Sequence, residues 1–184
     1  ERLCLWRQRL SWYMSRNPKT VYHVDAIQGY GKYRIYPKRM GIDLLSVSSH
    51  KIHGPKGVGF LYVSEKVKIH PMILGGGQQK GMRSGTDNVP GDCGPWHCGT
   101  HVYENHEEKM EKLRALKTYL AKNLSEMERV VINGPLPKDG APHIINASFL
   151  GVRSEVLLHT LEDKGIYVSA GSACSSHKRA ASAP

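Results

Sequence analysis

The sequence has 184 residues, of which 40% are hydrophobic and 23% are charged, with 19 glycines and 10 prolines. These proportions are typical of a globular protein and exclude a collagen-like chain, a coiled coil and a disordered polypeptide. No apolar run reaches the roughly 18 residues of a membrane span. The charges at positions 1, 2 and 7 interrupt the apolar core that a secretory signal needs, so we expect no targeting segment.

The balance of 26 Lys and Arg against 16 Asp and Glu gives a net charge of +10. The basic residues are scattered along the chain, so a solvated basic surface and a nucleic-acid-binding surface both remain open. Four cysteines are too few for a disulfide scaffold. We therefore expect free thiols in a reducing compartment, the cytoplasm.

Three short β-rich runs open the interpretable part of the chain, at 21–24, 43–48 and 59–63. They are apolar without strict alternation, which predicts strands of a parallel sheet buried on both faces. The stretch between the first two runs is long enough for a crossover connection, so they form a βαβ-like unit.

The second half of the chain alternates helix and strand patterns. Apolar residues from Met110 to Met127 recur at spacings of three and four, which predicts a helix. A strand is expected at 143–149, a helix from a capping Ser154 to Lys164, and a short strand at 166–168.

The predicted fold class is α/β, with a sheet core followed by a smaller C-terminal α/β domain. We place the boundary near residue 90, where the composition shifts, giving domains 1–90 and 91–184 with residues 1–17 unassigned. The glycines and prolines between residues 92 and 102 are expected to break a helix.

A first candidate site combines Asp25, Gln28, Ser48, His50 and Lys51, which follow or end the first two predicted strands. Open α/β sheets bind ligands at the carboxyl ends of their strands. A buried carboxylate can keep a ring nitrogen protonated, and a desolvated amine can form a Schiff base. Pyridoxal phosphate (PLP) requires both groups. A structural aspartate and a surface lysine are the alternative interpretation.

A second candidate is Cys174, within a loop of Gly, Ser and Ala residues. Small neighbours leave a thiol accessible, and the basic residues at 177–179 favour its thiolate form. An inert loop cysteine is equally compatible with this pattern.

A cluster of Cys and His residues is compatible in principle with zinc: Cys93, His97, Cys98 and His101. Its spacing is not that of a common zinc finger, and Pro95 and Trp96 interrupt it. We therefore expect no metal site.

Five motifs, in this order, resemble those of the cysteine desulfurases, which belong to the class V aminotransferase group of fold-type I PLP enzymes. The motifs are HVDAIQ at 23–28, SVSSHKIHGPKGVG at 46–59, GGGQQ at 75–79, RSGTDNVP at 83–90 and VSAGSACSS at 168–176. The resemblance covers about residues 18–91 and 103–182 and implies part of a fold-type I PLP-transferase.

The resemblance also implies the cofactor-binding roles. Asp25 pairs with the pyridinium nitrogen and Gln28 with the phenolate oxygen, while Ser48 and His50 hold the phosphate. Thr86 reaches the phosphate of the cofactor in the partner subunit, which implies a homodimer.

The implied catalytic residues are Lys51 and Cys174. Lys51 is the Schiff-base lysine and then the proton shuttle at the α-carbon of L-cysteine. Cys174 attacks the substrate sulfur, alanine leaves, and the resulting persulfide is passed to an acceptor such as a scaffold or carrier protein. Nucleic acid and membrane are not expected as direct partners.

The chain departs from the family at both ends and over residues 92–102. The segment expected before the Asp25 strand is not recognisable, and an arginine expected after the cysteine loop is missing. We therefore expect an incomplete or inactive part of such an enzyme, with frame slips as one explanation. The alternatives are selenocysteine lyase or another class V enzyme, and a non-catalytic basic module that binds RNA or a sulfur-carrier protein.

Overall fold

The computed structural model describes residues 16–135 and 139–170. The chain divides into two compact units that meet in sequence between Met110 and Glu111. Assignment of residues 1–90 and 91–184 to two family domains stays a prediction.

A three-stranded sheet forms the first unit, with strands β1 (His23–Asp25), β2 (Leu44–Ser48) and β3 (Gly59–Val63) in that order. All three predicted strands are present. β1 and β2 are parallel, as predicted, but β3 is antiparallel to β2. The expectation of a parallel third strand was wrong because the connection over 49–58 is too short for a crossover.

The sheet buries one face rather than two. Leu45 and Val47 on β2 are buried and form a core with Ala26 and Ile42. The intervening residues of β2 are only partly buried. The expected burial on both faces was therefore wrong for the chain as described, because polar side chains occupy alternate positions.

The connection between β1 and β2 contains only a short helix, α1 (Pro37–Met40), which ends at Gly41 in the left-handed conformation, with φ of 67°. Asp43, a buried residue just before β2, ties the two strands together. Its Oδ2 accepts the Tyr22 N–H at 2.9 Å, and its Oδ1 lies 2.7 Å from Lys66 Nζ. These contacts hold the pKa of Asp43 below its ordinary value, with the Lys66 hydrogen bond as the largest cause.

Helix α2 (Val89–Tyr103) passes straight through the segment that was expected to break a helix. Asn88 caps it, its side chain accepting the Gly91 N–H at 3.1 Å. Pro95 is buried inside the helix, and a Cβ built at Gly94 would lie 2.6 Å from Pro55 Cδ. The prediction was wrong because close packing, which small residues permit, outweighs weak helix propensity here.

Helix α3 (His106–Ser125) confirms the helix predicted from apolar spacing. The second unit also contains β4 (Val130–Asn133), antiparallel to β5 (Asn146–Phe149), and helix α4 (Ser154–Glu162). β5 lies within the predicted strand at 143–149, whereas β4 was not predicted.

Two local predictions in the second unit were wrong. The N-cap of α4 is Arg153 rather than Ser154, and no side chain caps the helix. Residues 166–168 do not form a strand; all three are about half exposed or more, and an apolar run becomes a strand only where a partner pairs with it.

None of the helices within 16–135 and 139–170 combines the length and the apolar character that a membrane span needs.

Candidate active site

The carboxyl ends of β1 and β2 place two predicted site residues on one face of the sheet. Asp25 is the register partner of Ser46, and Ser48 lies two residues further along the same strand. Because side chains alternate along strands, all three belong to the less buried face. On this face His23 Nε2 lies 3.3 Å from Ser46 Oγ. Asp25 and Ser48 therefore share a polar, accessible surface.

A tight turn over Ser49–Ile52 follows β2 and carries His50 and Lys51. Ser49 and Ile52 are each only 1% exposed, whereas His50 and Lys51 are exposed. His53, with φ of 68°, ends the turn. Two buried residues thus anchor the turn and leave the imidazole and the amine outside.

Gln28 lies in the turn that follows β1. The Tyr30 N–H donates to the Ala26 carbonyl at 2.7 Å, which closes the turn, and the Ile27 N–H donates to Asp25 Oδ1 at 2.9 Å. Gln28 itself is exposed. The hydrogen bond from Ile27 orients the Asp25 carboxylate.

Thr86 lies on a separate loop, residues 75–87. Ser84, 6% exposed, donates its hydroxyl to the Gly76 carbonyl at 2.7 Å. The Gly85 N–H donates to Gln78 Oε1 at 3.3 Å, and Gln79 Nε2 donates to Asp87 Oδ1 at 2.9 Å. Thr86 is exposed between these tethered neighbours.

Five of the seven sequence-predicted residues lie at or just after the ends of β1 and β2. Asp25 and Ser48 share one face, His50 and Lys51 follow at the end of the same strand, and Gln28 follows the neighbouring strand. No described contact joins Thr86 to the other residues. Cys174 lies outside the described residues, and all of the assigned roles stay predictions.

The Cys and His cluster lies on helix α2. Cys93 is an exposed free thiol and Cys98 a partly buried one, while His101 Nδ1 is 2.8 Å from Glu104 Oε2. Within the described parts of the chain, no group of three or more Cys, His, Asp and Glu residues is arranged to hold a metal ion.

A network around Tyr103 lies apart from these residues, at the end of α2. Its hydroxyl accepts the Gly31 N–H at 3.2 Å and donates to the Tyr33 carbonyl at 3.1 Å. Burial raises the pKa of Tyr103 above its ordinary value. This phenol stays protonated and holds the loop after β1 against the helix.

The donors at the strand ends are of the chemical types that PLP requires. Asp25 and Lys51 are both exposed in the described residues, so the expected buried carboxylate and desolvated amine are not observed. Asp25 offers a carboxylate for a protonated ring nitrogen, Lys51 an exposed amine, and Ser48 and His50 donors for a phosphate. Among the described residues, neither Asp25 nor Lys51 makes an ion pair. Both groups therefore remain available to a ligand.

The carboxylate of Asp25 ends β1, and the amine of Lys51 lies in the turn after β2, at the edge of the parallel pair where α/β proteins bind ligands. The family model for aminotransferase class V matches residues 9–183. The chain belongs to the aminotransferase class-V family, which confirms the predicted resemblance at the family level.

The chain is 44% identical over 165 residues to a cysteine desulfurase IscS of Klebsiella pneumoniae, covering 89% of this chain and 40% of that protein. A solved NifS-like protein superposes with a TM-score of 0.80 at 37% identity, covering 85% of this chain and 42% of that one. A structure described as SspA in complex with cysteine has a TM-score of 0.64 at 28% identity, covering 89% and 44%.

These likenesses confirm the predicted α/β fold of a partial fold-type I enzyme. The chain spans less than half the length of the relatives that it matches. The activity, substrate and partners of a whole protein are therefore treated as proposals.

The side-chain hydrogen bonds that hold the loop at 75–87 were not predicted from the sequence. The motifs at 75–79 and 83–90 were identified, but not the hydrogen bonds of Gln78 and Gln79 between them. The sequence signal for these hydrogen bonds is the pair Gln78-Gln79 directly after three glycines. Glycines leave a loop backbone free to adopt many conformations, so hydrogen bonds from neighbouring side chains are needed to hold one of them.

Proposed function

We propose that the intact protein is a PLP-dependent cysteine desulfurase that takes sulfur from L-cysteine, releases L-alanine and keeps the sulfur as a persulfide on Cys174. The observation that carries this proposal is the arrangement at the strand ends. Asp25 and Ser48 share one sheet face, and the exposed Lys51 follows the same strand. The relatives named as cysteine desulfurases support it.

When bound, PLP supplies an aldehyde and an electron sink for the α-carbon of an amino acid. Asp25 holds the proton on the ring nitrogen, and Gln28 donates to the phenolate oxygen. Ser48 and His50 bind the phosphate, and Thr86 binds the phosphate in a partner subunit of a homodimer. Lys51 would hold the aldehyde carbon and would move a proton at the α-carbon of the substrate.

The sulfur step belongs to Cys174. Its thiolate attacks the sulfur of L-cysteine, an S–S bond forms, and the Cβ–S bond breaks with its electron pair remaining on the carbon skeleton. Protonation of that carbon releases alanine. The persulfide then passes its outer sulfur to an acceptor protein, and a thiol used in this way is suited to the reducing cytoplasm.

The test begins with PLP binding to the purified chain. We expect a visible absorbance band of imine-linked PLP, which borohydride bleaches because it reduces the imine to a stable secondary amine, and we expect the band to be absent in Lys51→Ala. The matched control is Lys56→Ala, since Lys56 is also exposed but lies beyond the turn. A band that persists in Lys51→Ala contradicts the assignment.

A second measurement separates cofactor binding from sulfur chemistry. Cys174→Ala is expected to keep the absorbance band and to lose persulfide formation from L-cysteine. Absence of PLP binding, together with tight and salt-sensitive RNA binding, would instead favour the basic-module interpretation.

A further inference from the structure

The loop at 75–87 contains a strained turn next to Thr86. Gln79 and Lys80 are consecutive non-glycine residues with φ of 50° and 56°. Side chains with a Cβ rarely adopt this left-handed conformation, and it persists where surrounding contacts hold it. The strain therefore indicates that the turn is held in place for a reason other than its own stability.

Two backbone hydrogen bonds close the turn itself, from the Gly81 N–H to the Gly77 carbonyl and from the Met82 N–H to the Gln79 carbonyl. The side-chain contacts of the turn lead to the segment 84–87. Gln78 Oε1 accepts the Gly85 N–H, and Gln79 Nε2 donates to the Asp87 carboxylate. Ser84 is fixed through its hydroxyl to Gly76 and through its N–H to the Ile73 carbonyl at 3.2 Å. Residues 84, 85 and 87 are thus each tied back to the first half of the loop.

Thr86 lies between these tied residues and has no described hydrogen bond of its own. Gln78 binds the backbone N–H of the residue before it, and Gln79 binds the side-chain carboxylate of the residue after it, so both neighbours of Thr86 are tethered. A hydroxyl presented in this way loses little conformational freedom when it binds a ligand, and this preorganisation increases affinity.

We propose that Gln78 and Gln79 are positioning residues, which hold segment 84–87 so that Thr86 presents its hydroxyl to the phosphate of PLP. The inference rests on the proposed function, because it takes the phosphate as the ligand of Thr86. Gln79 acts through its hydrogen bond to Asp87, and Gln78 acts through its hydrogen bond to Gly85.

A matched pair of variants separates the hydrogen bond from the strain. Gln79→Gly and Lys80→Gly relieve the same left-handed strain at adjacent positions, but only Gln79→Gly removes a described bond to segment 84–87. We expect Gln79→Gly to weaken PLP binding about fivefold, the net loss expected for one ordinary hydrogen bond. Lys80→Gly is expected to change it less than twofold.

Two further measurements identify the route of the effect. Amide hydrogen exchange in the ligand-free chain is expected to speed up at 84–87 in Gln79→Gly and in Gln78→Ala, but not in Lys80→Gly. In a Thr86→Ala background, Gln79→Gly is expected to cause no further loss of PLP affinity, because it acts through Thr86. Light scattering checks that the oligomeric state is unchanged.

The outcomes separate this inference from the proposed function. If the wild-type chain binds PLP and the two glycine variants behave alike, the inference is overturned and the proposed function stands. Additive losses in the Thr86→Ala background also overturn it. Absence of PLP binding in both this chain and the intact protein overturns the proposed function and the phosphate role together, whereas equal exchange rates at 84–87 in Gln79→Gly and Lys80→Gly overturn the inference alone.

Discussion

Helices α2 and α3 follow one another in the chain and form for opposite reasons. α3 contains neither glycine nor proline and consists mainly of strong helix formers. α2 contains three glycines and a buried internal proline. In a helix interior each glycine costs about 1 kcal/mol relative to alanine and a proline about 3 kcal/mol.

Contacts within the first unit compensate for this weak propensity. A Cβ at Gly94 would crowd Pro55, and the Tyr103 hydroxyl bonds to the loop that contains Gly31 and Tyr33. The glycines lower the helix propensity of α2 but allow its backbone to pack closely against neighbouring residues. Helix α2 therefore depends on contacts with its surroundings, whereas α3 is supported by its own sequence.

The largest effect is expected where α2 meets the loop after β1. Gly31 has φ of +76°, and a Cβ there would lie 2.6 Å from Val102 Cγ2. Gly31→Ala combines backbone strain with overpacking, so we expect it to lower the free energy of unfolding by about 3 kcal/mol. Urea unfolding followed by circular dichroism measures this change.

Gly41→Ala is the control for that substitution, because Gly41 has a similar φ of +67° but no atom within 4 Å of its Cβ position. We expect it to cost about 1 kcal/mol from strain alone. Equal losses in the two variants would show that α2 does not depend on close packing against Gly31.

Elements supported by their own sequence were predicted correctly, and elements supported by contacts with distant residues were not. β1, β2, β3 and α3 were predictable because each is dominated by its own local pattern. α2 was not, because its stability comes from Pro55 and the loop after β1, which are distant in sequence. β4 was missed because a run of three apolar residues shortly after a helix is too short to show a period of its own.

The candidate site also contains residues that the sequence pattern predicts and contacts that it does not. Asp25, Ser48 and Lys51 were predictable as polar residues at strand ends, where ligands of open sheets bind. The bonds of Gln78 and Gln79 were not, because they join side chains to positions seven and eight residues away across an irregular loop. Such contacts depend on the loop conformation, which composition does not specify.

As pH falls, we expect the strands of the first unit to lose stability before α3 does. The Lys66 hydrogen bond lowers the pKa of Asp43 in the folded state, so the unfolded chain takes up this proton more readily. The stabilisation is fully present above the ordinary Asp pKa and is lost as pH falls through the lower folded value, below about pH 4.

Asp43→Asn removes this dependence. We expect it to cost about 2 kcal/mol at neutral pH, because it loses a charged hydrogen bond at a buried position, and to flatten the acid limb. The readout is urea unfolding between pH 3 and pH 7, with hydrogen exchange reporting on β1 and β2 separately from α3. An acid limb unchanged in Asp43→Asn would assign it to other carboxylates.

The smallest expected changes in stability come from exchanging glycine and alanine within the two helices, and they have opposite signs. A Cβ at Gly99 would lie 3.5 Å from Tyr30 Oη, an ordinary contact, so Gly99→Ala is expected to stabilise α2 by about 0.5 to 1 kcal/mol. Ala115→Gly, at an exposed position of α3, is expected to destabilise that helix by a similar amount. Hydrogen exchange within each helix measures both changes. Destabilisation by Gly99→Ala would mean that α2 is packed as tightly at this turn as it is at Gly94, and that its glycines act together as one close-contact face.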